Sequence, residues 1–290
     1  MTFELHHPAS TAEAIDLAGR HTDARFIAGG TDLVIQMNRK KIAPAHLIDI
    51  SRLPGLAQVE ESAEEFRLGA LTTYNTIERH PAFQGVLQAL VEAAGVVGGR
   101  QVRNIATVGG NVVNASPAAD FVPPLLALDA KVDIVGPGGN RSVDLRDFIL
   151  GPGKVDLRSG EMLCGIRFRR PPAHSATAFL KEGRRKAMEI SVVCFAACLT
   201  LDASSQRCVA ARLVVGAAGP KALRLEQAEQ SLIDRPADLA SFRAAGRLAA
   251  DASAPISDVR ASADHRRDLV AVLTERALSR CVARINGTSR

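Results

Sequence analysis

The sequence predicts a mixed α+β protein built in two units. Three observations carry that prediction. The 290-residue length exceeds the commonest size of a single domain. Short strand-like and helix-like segments alternate at the start of the chain, the rhythm of a small α/β unit with parallel pairing. Beyond the Pro171-Pro172 dipeptide, two long apolar strands precede a run of helices. An apolar fraction of 47% with 23% charged residues fits a globular chain with real cores.

The elements follow in order. PASTAEAIDLAGRH (8–21) reads as a helix capped near Ser10 or Thr11, with Glu13 and Asp16 early, where the helix dipole favours negative charge. ARFIAGG (24–30) is a short strand entering a glycine turn, TDLVIQMNRKKI (31–42) the following helix with Thr31 placed to cap it, and HLIDIS (46–51) a second strand. FRLGALTT (66–73) is a strand, and a long helical stretch is expected through PAFQGVLQALVEAAGVV (81–97). AKVDIVGPGG (130–139) and SVDLRDF (142–148) read as a strand, a turn and a return. PGKVDLRSGEMLCGIRF (152–168) reads as another hairpin, with Leu163 and Ile166 at its far end, and RFRRPPAHS (167–175) as the linker. ISVVCFAACLTLD (190–202) and CVAARLVVGAAG (208–219) are expected to pair antiparallel. Three helices then follow; in the last, Leu269, Leu273 and Val282 fall near one face.

Composition excludes several function classes. There is no Trp and a single tyrosine, Tyr74, so an aromatic platform for single-stranded nucleic acid is missing. The net charge of +5 is scattered, with short runs at Arg39-Lys40-Lys41, Arg184-Arg185-Lys186 and Arg266-Arg267. A nucleic-acid binder gathers such charge into one stripe; here it reads as solvated surface, or as a site for an anionic cofactor or a partner subunit. The five cysteines form no CxxC pair. Cys194 and Cys198 share a strand and lie roughly 13 Å apart, too far to ligate one metal. They read as reduced core thiols of a cytoplasmic protein. The seven histidines show no HExxH or comparable spacing, so no protein-bound metal is expected. Neither a signal pattern nor an apolar run near the ~20 residues of a membrane span is present.

Two glycine-rich segments about eighty residues apart carry the candidate chemistry. In FIAGGTDL (26–33) a strand leaves into a helix, and consecutive N–H groups at such a turn make a concavity suited to phosphate. It is neither a Rossmann GxGxxG nor a GxxxxGK[ST] loop, and a tight turn with no ligand fits it equally. TVGGNVVNASPAAD (107–120) again joins small residues to side-chain donors. Its Ser116-Pro117 reads as a helix start, with Asp120 about one turn in. Asp120 is there either a dipole-favoured surface residue or an acceptor for sugar or ribityl hydroxyls. Two phosphate-type turns and a hydroxyl acceptor suit a dinucleotide clamped between subdomains.

At these residues the chain resembles a known family. AGGTDL and TVGGNVVNASPAADFVPPLLALDA are similar to the two FAD-binding signatures of the flavoprotein (medium) subunit of molybdenum hydroxylases, the xanthine dehydrogenase and carbon monoxide dehydrogenase family. The resemblance covers nearly the whole chain. It implies a vanillyl-alcohol-oxidase-type (PCMH-type) FAD-binding domain over residues 1–175, of two α/β subdomains at about 1–55 and 56–175. A smaller C-terminal α+β domain of antiparallel sheet plus helices would span 176–290. By the same resemblance Ile27, Ala28, Gly29, Gly30, Thr31, Asp32 and Leu33 would wrap the FAD pyrophosphate. Thr107, Val108, Gly109, Gly110 and Asn111 would form a second wall with Asn114 beside it, and Asp120 would bind cofactor hydroxyls. Leu163 would lie against the flavin or its adenine end, and Lys181 would reach the ring. Where some relatives place an aromatic beside the ring, this chain has Val96 and Val97. No cysteine-containing insertion for an extra iron–sulfur cluster is visible.

The implied function is electron transfer in a cytoplasmic heterotrimeric oxidoreductase, assembled as a dimer of heterotrimers. Substrate would be oxidised at molybdopterin in a large subunit, and [2Fe–2S] clusters of a small subunit would deliver electrons to FAD here. An external acceptor such as NAD, oxygen or a quinone would then be reduced. No catalytic acid, base or nucleophile is expected, because the cofactor carries the chemistry. The competing reading is a stand-alone FAD-dependent oxidoreductase with substrate docked on the flavin. It lacks support from any tyrosine or histidine constellation in the sequence.

Overall fold

The computed structural model describes residues 2–185 and 187–288. The chain opens with β1 (Glu4–His6), α1 (Thr11–Arg20), β2 (Arg25–Ile27), α2 (Leu33–Asn38) and β3 (His46–Asp49). The three strands form a parallel sheet in the order β1-β3-β2. Ser10 caps α1 by accepting a hydrogen bond from the Glu13 N–H. The buried stripe Ala14, Ile15 and Ala18 packs into a small cluster with Ile48, Ile50 and Leu53.

The chain continues through β4 (Val59–Glu61), β5 (Glu65–Gly69), α3 (Tyr74–Arg79), α4 (Gln88–Val96), α5 (Arg100–Ile105), α6 (Val108–Asn114) and α7 (Val122–Ala127). Then come β6 (Lys131–Gly136), β7 (Gly139–Asp144), α8 (Leu145–Phe148), β8 (Ile149–Gly151), β9 (Lys154–Val155) and β10 (Met162–Arg169). Five of these strands make an antiparallel sheet in the order β4-β5-β10-β6-β7. Period-two alternation decides its faces. Phe66, Leu68, Val132, Ile134, Ile166 and Phe168 enter the main core, while Arg67, Asp133 and Arg167 pair on the other face.

The last part comprises β11 (Ser175–Glu182), β12 (Val193–Leu201), β13 (Cys208–Gly216), β14 (Leu223–Arg224), α9 (Glu226–Leu232), α10 (Leu239–Ala252) and α11 (Ala263–Ile285). Its four strands form an antiparallel sheet in sequence order. Both faces are covered, which is why the strands read as continuous apolar runs. Phe179, Cys194, Ala196 and Val214 join the main core with α4 and α7. Phe195, Ala197, Leu199, Leu213 and Val215 face α10 and α11 instead. Among the described residues, no helix is long and apolar enough to cross a membrane.

Several local expectations are corrected. The long helix at 81–97 is broken into two single-turn 3₁₀ segments before α4, because Pro81 lacks a donor and Gly85 sits at φ +79°. Residues 152–168 do not close on themselves. β8 and β9 form a small ribbon, and β10 inserts between β5 and β6. The helix expected at Ser116-Pro117 starts at Val122, with Pro123 and Pro124 in its first turn, where missing N–H groups do no harm. Asp120 therefore stands in the turn ahead of that helix. Asp32 rather than Thr31 occupies the cap position of α2, with helical dihedrals and no side-chain capping bond.

Candidate functional site

The first glycine segment leaves β2 at Ile27 and reaches α2 through Ala28–Asp32. Two glycines are required there for different reasons. Gly30 has φ +67°, a conformation that L side chains rarely adopt. A Cβ on Gly29 would lie 1.9 Å from the Ile105 carbonyl oxygen, so only glycine permits that approach. Among the described residues, the N–H groups of Gly29, Gly30, Thr31, Asp32 and Leu33 donate to no other group of the chain. Successive unpaired donors at one turn are the physical requirement for holding an anion.

The second segment is built differently from what its composition suggests. It is a helix start rather than an open turn, with Thr107 as cap. Val108 donates to the Thr72 carbonyl at 3.0 Å and Gly109 to that of Ala70 at 2.9 Å. Gly110 donates to Thr107 Oγ1 at 3.1 Å. Asn111 donates to the Thr107 carbonyl at 3.1 Å. Its backbone donors are thus taken, and its contribution to a site is shape and side chains. Gly109 is buried, with Ala70 only 2.7 Å from where its Cβ would stand; Gly110 is exposed. Asn111 Oδ1 and Tyr74 Oη are buried without a partner.

The fold brings the two segments together. Besides the Gly29–Ile105 contact, Gln36 Nε2 donates to Asn114 Oδ1 at 3.4 Å, tying α2 to α6. Thr73 and Thr107 form an isolated antiparallel bridge, which sets Tyr74 beside the second segment. Burial, followed by the carboxylates of Asp120 and Asp32, pushes the Tyr74 phenol well above its ordinary value. It stays protonated and free to donate.

Asp120 and Lys181, sixty-one residues apart, meet in a buried ion pair: Lys181 Nζ stands 2.6 Å from Asp120 Oδ2 and 2.7 Å from the Glu189 carbonyl. Ser191 donates its hydroxyl to the other Asp120 oxygen. Burial raises the Asp120 carboxyl above the usual range, against the opposing pull of Lys181, Ser191 and Cys194. A carboxylate offers about four lone-pair sites, so Asp120 retains acceptor capacity beyond these two bonds. Lys181 also lines a cleft with Val96, Gly183, Arg184, Met188 and Glu189. Lys181, which the resemblance places toward the ring, thus shares a cleft with Val96, one of the two residues standing where some relatives carry an aromatic. Leu163 differs: its side chain is only 4% exposed and lies within the core on β10. The sequence reading missed Tyr74 and Ser191. Tyr74 carried a signal in being the single tyrosine, whereas Ser191 carried none.

These residues suit a dinucleotide. Unengaged N–H groups at a turn can hold a phosphate, and unpartnered buried polar atoms such as Tyr74 Oη and Asn111 Oδ1 can bond hydroxyls or ring heteroatoms. Comparison with known proteins agrees. Residues 1–171 match a family model described as the FAD binding domain in molybdopterin dehydrogenase. Residues 178–281 match the CO dehydrogenase flavoprotein C-terminal domain. The chain is 35% identical over 286 residues to a putative xanthine dehydrogenase FAD-binding subunit of Escherichia coli K12, covering 97% of each. It is 33% identical to the nicotinate dehydrogenase FAD-subunit of Eubacterium barkeri, covering 92% of each. A chain of carbon monoxide dehydrogenase from Hydrogenophaga pseudoflava, solved in a form lacking the Mo-pyranopterin moiety of the molybdenum cofactor, superposes with a TM-score of 0.93. That match has 31% identity and covers 98% of both chains.

Proposed function

Because the chain belongs to the family of FAD-binding subunits of molybdopterin dehydrogenases, we propose that it is the electron-transfer subunit of a heterotrimeric molybdenum hydroxylase. Its partners are a small subunit carrying [2Fe–2S] clusters and a large subunit where molybdopterin oxidises the substrate, assembled as a dimer of heterotrimers. Electrons leave this chain for an external acceptor such as NAD, oxygen or a quinone. FAD supplies the redox chemistry, exchanging electrons singly or in pairs and so matching one-electron clusters to a two-electron acceptor.

The observation that carries this reading is the convergence of Gly29–Leu33, with its five unengaged N–H groups, on the Ile105–Asn111 segment. In this assignment those N–H groups hold the pyrophosphate and open Gly110 gives it room. Tyr74 Oη and Asn111 Oδ1 satisfy polar groups along the dinucleotide. Asp120 accepts from a cofactor hydroxyl while Lys181 fixes its orientation and holds positive charge at the cleft. Residues 1–175 form the FAD-binding domain, and residues 176–290 the C-terminal domain that contributes Lys181.

The test is affinity purification of the chain from its native cells under conditions that preserve complexes, with flavin, iron and molybdenum assayed in the eluate. The proposal expects all three, with two co-purifying chains. Flavin alone would overturn the heterotrimer and favour a free-standing FAD oxidoreductase.

A further inference from the structure

Away from the FAD site, the fold gathers three histidines that no motif in the sequence linked. His6 stands at the end of β1, His46 opens β3, and His21 forms the C-cap of α1. Each offers a ring nitrogen, and these atoms lie within 4.8 Å of one another. We infer that His6, His21 and His46 form a binding site for a divalent transition-metal ion of the zinc class.

The geometry supports this directly. His6 Nε2 is 3.1 Å from His46 Nδ1. Tetrahedral zinc with Zn–N bonds of 2.0–2.1 Å holds neighbouring ligand nitrogens about 3.3 Å apart, so this pair needs to open by only tenths of an ångström. The His21 ring stacks on that of His46 with centroids 3.8 Å apart, and ring rotation brings its nitrogen round. The backbones are fixed beforehand. Glu4 pairs with His46 in the parallel register, and His6, two residues on, returns to the same face as Glu4. The His21 N–H donates to the Leu17 carbonyl at the end of α1.

The Glu4 carboxylate supplies the fourth position. Its oxygens lie 3.6 Å from His46 Nδ1 and 3.9 Å from His6 Nδ1, on an exposed side chain free to turn inward. Three imidazoles and a carboxylate suit Zn²⁺, Co²⁺, Ni²⁺ or Cu²⁺, not the oxygen-seeking Mg²⁺ or Ca²⁺. The ion would join β1 to β3 and the end of α1, which already share a small core cluster through Ala14, Ile15, Ala18 and Ile48. Binding only to the folded form, it would raise that unit's stability. The site lies toward the opposite end of β3 from Asp49, which pairs with Ile27 at the start of the FAD segment, so this inference does not rest on the FAD assignment.

The test uses the tag-free chain, with or without bound flavin, stripped with a chelator and titrated calorimetrically with Zn²⁺. A parallel Co²⁺ titration reads the visible d–d bands of a tetrahedral site. One equivalent should bind and raise Tm, with Mg²⁺ giving neither effect. His21→Ala and His46→Ala should each weaken Zn²⁺ binding by more than the roughly 10–100-fold that loss of an outer-shell partner produces, with flavin content unchanged. If His46→Ala fails to fold, His21→Ala decides, since its ring lies outside the sheet. No saturable binding, equal binding of Mg²⁺, or undiminished affinity in His21→Ala would overturn the inference.

Discussion

At the scale of single residues, two glycines of the candidate site separate fold from function. Gly29 faces the Ile105 carbonyl at a distance no Cβ tolerates, whereas Gly110 meets only Thr107 Oγ1, at 3.0 Å. Gly29→Ala should therefore destabilise the protein by about 1–3 kcal/mol, the usual cost of an overpacking clash, and lose flavin with it. Gly110→Val should keep a near-native Tm while FAD affinity falls roughly a hundredfold, about 3 kcal/mol. A Gly110→Val protein retaining full flavin in absorbance titration would remove the second segment from the site. Lys181→Met tests the ion pair by pH. Burial already raises the Asp120 carboxyl, and removing its cation raises it further. A carboxyl whose folded pKa is raised lends stability below its unfolded value and loses it as pH rises through the folded one. Melts of Lys181→Met should thus fall more steeply than wild type from pH 4 upward; parallel curves would show that the pair does not set the titration.

At the scale of elements, the start of α11 depends on Asp258. It accepts from the Arg260 N–H and holds the buried Arg266 guanidinium at 2.7 Å, while Arg266 also donates to the Ala217 carbonyl. The Arg260 N–H and the Arg266 guanidinium lower its carboxyl to about 2. A depressed carboxyl contributes stability above its unfolded value and loses it as pH falls toward 2. Asp258→Asn should melt a few degrees lower at pH 7, and the gap to wild type should close below about pH 2. A constant gap across that window would assign the loss to packing. Elements with local signals were legible in the sequence: the Ser10 cap, the period of α1, and the apolar strands β12 and β13. Elements fixed by distant partners were not. Thr107–Asn114 reads as a turn because of its glycines, yet Gly109 is there to let α6 approach Ala70. The role of β10 as a central strand depends on β5 and β6, both more than twenty residues earlier in the sequence.

At the scale of the whole molecule, the linker at Pro171-Pro172 marks a change of topology but not a gap between cores. One face of the β11–β14 sheet belongs to the main core beneath α4 and α7. Polar ties cross the same boundary: Glu92 of α4 accepts from the Phe179 N–H at 2.8 Å and from Arg280 at 3.2 Å, and pairs with Arg284. Thr177 Oγ1 accepts from the Ala89 N–H at 3.1 Å and donates to the Val86 carbonyl at 2.7 Å. This continuity explains how Lys181 and Ser191, from beyond the linker, come to contact Asp120 of the second segment; the resemblance points to Lys181, but nothing local in the sequence marks Ser191. The same continuity predicts the unfolding behaviour. Units that share buried surface and buried polar ties lose stability together, so calorimetry of the full chain should give one transition, moved upward by FAD as binding to the folded form requires. Glu92→Gln leaves Arg284 without its anion and should lower that single Tm, since removing one partner of a largely buried pair costs about 3–5 kcal/mol. Two separated transitions in the wild-type chain, only one of them shifted by FAD, would instead make residues 1–175 and 176–290 independent bodies.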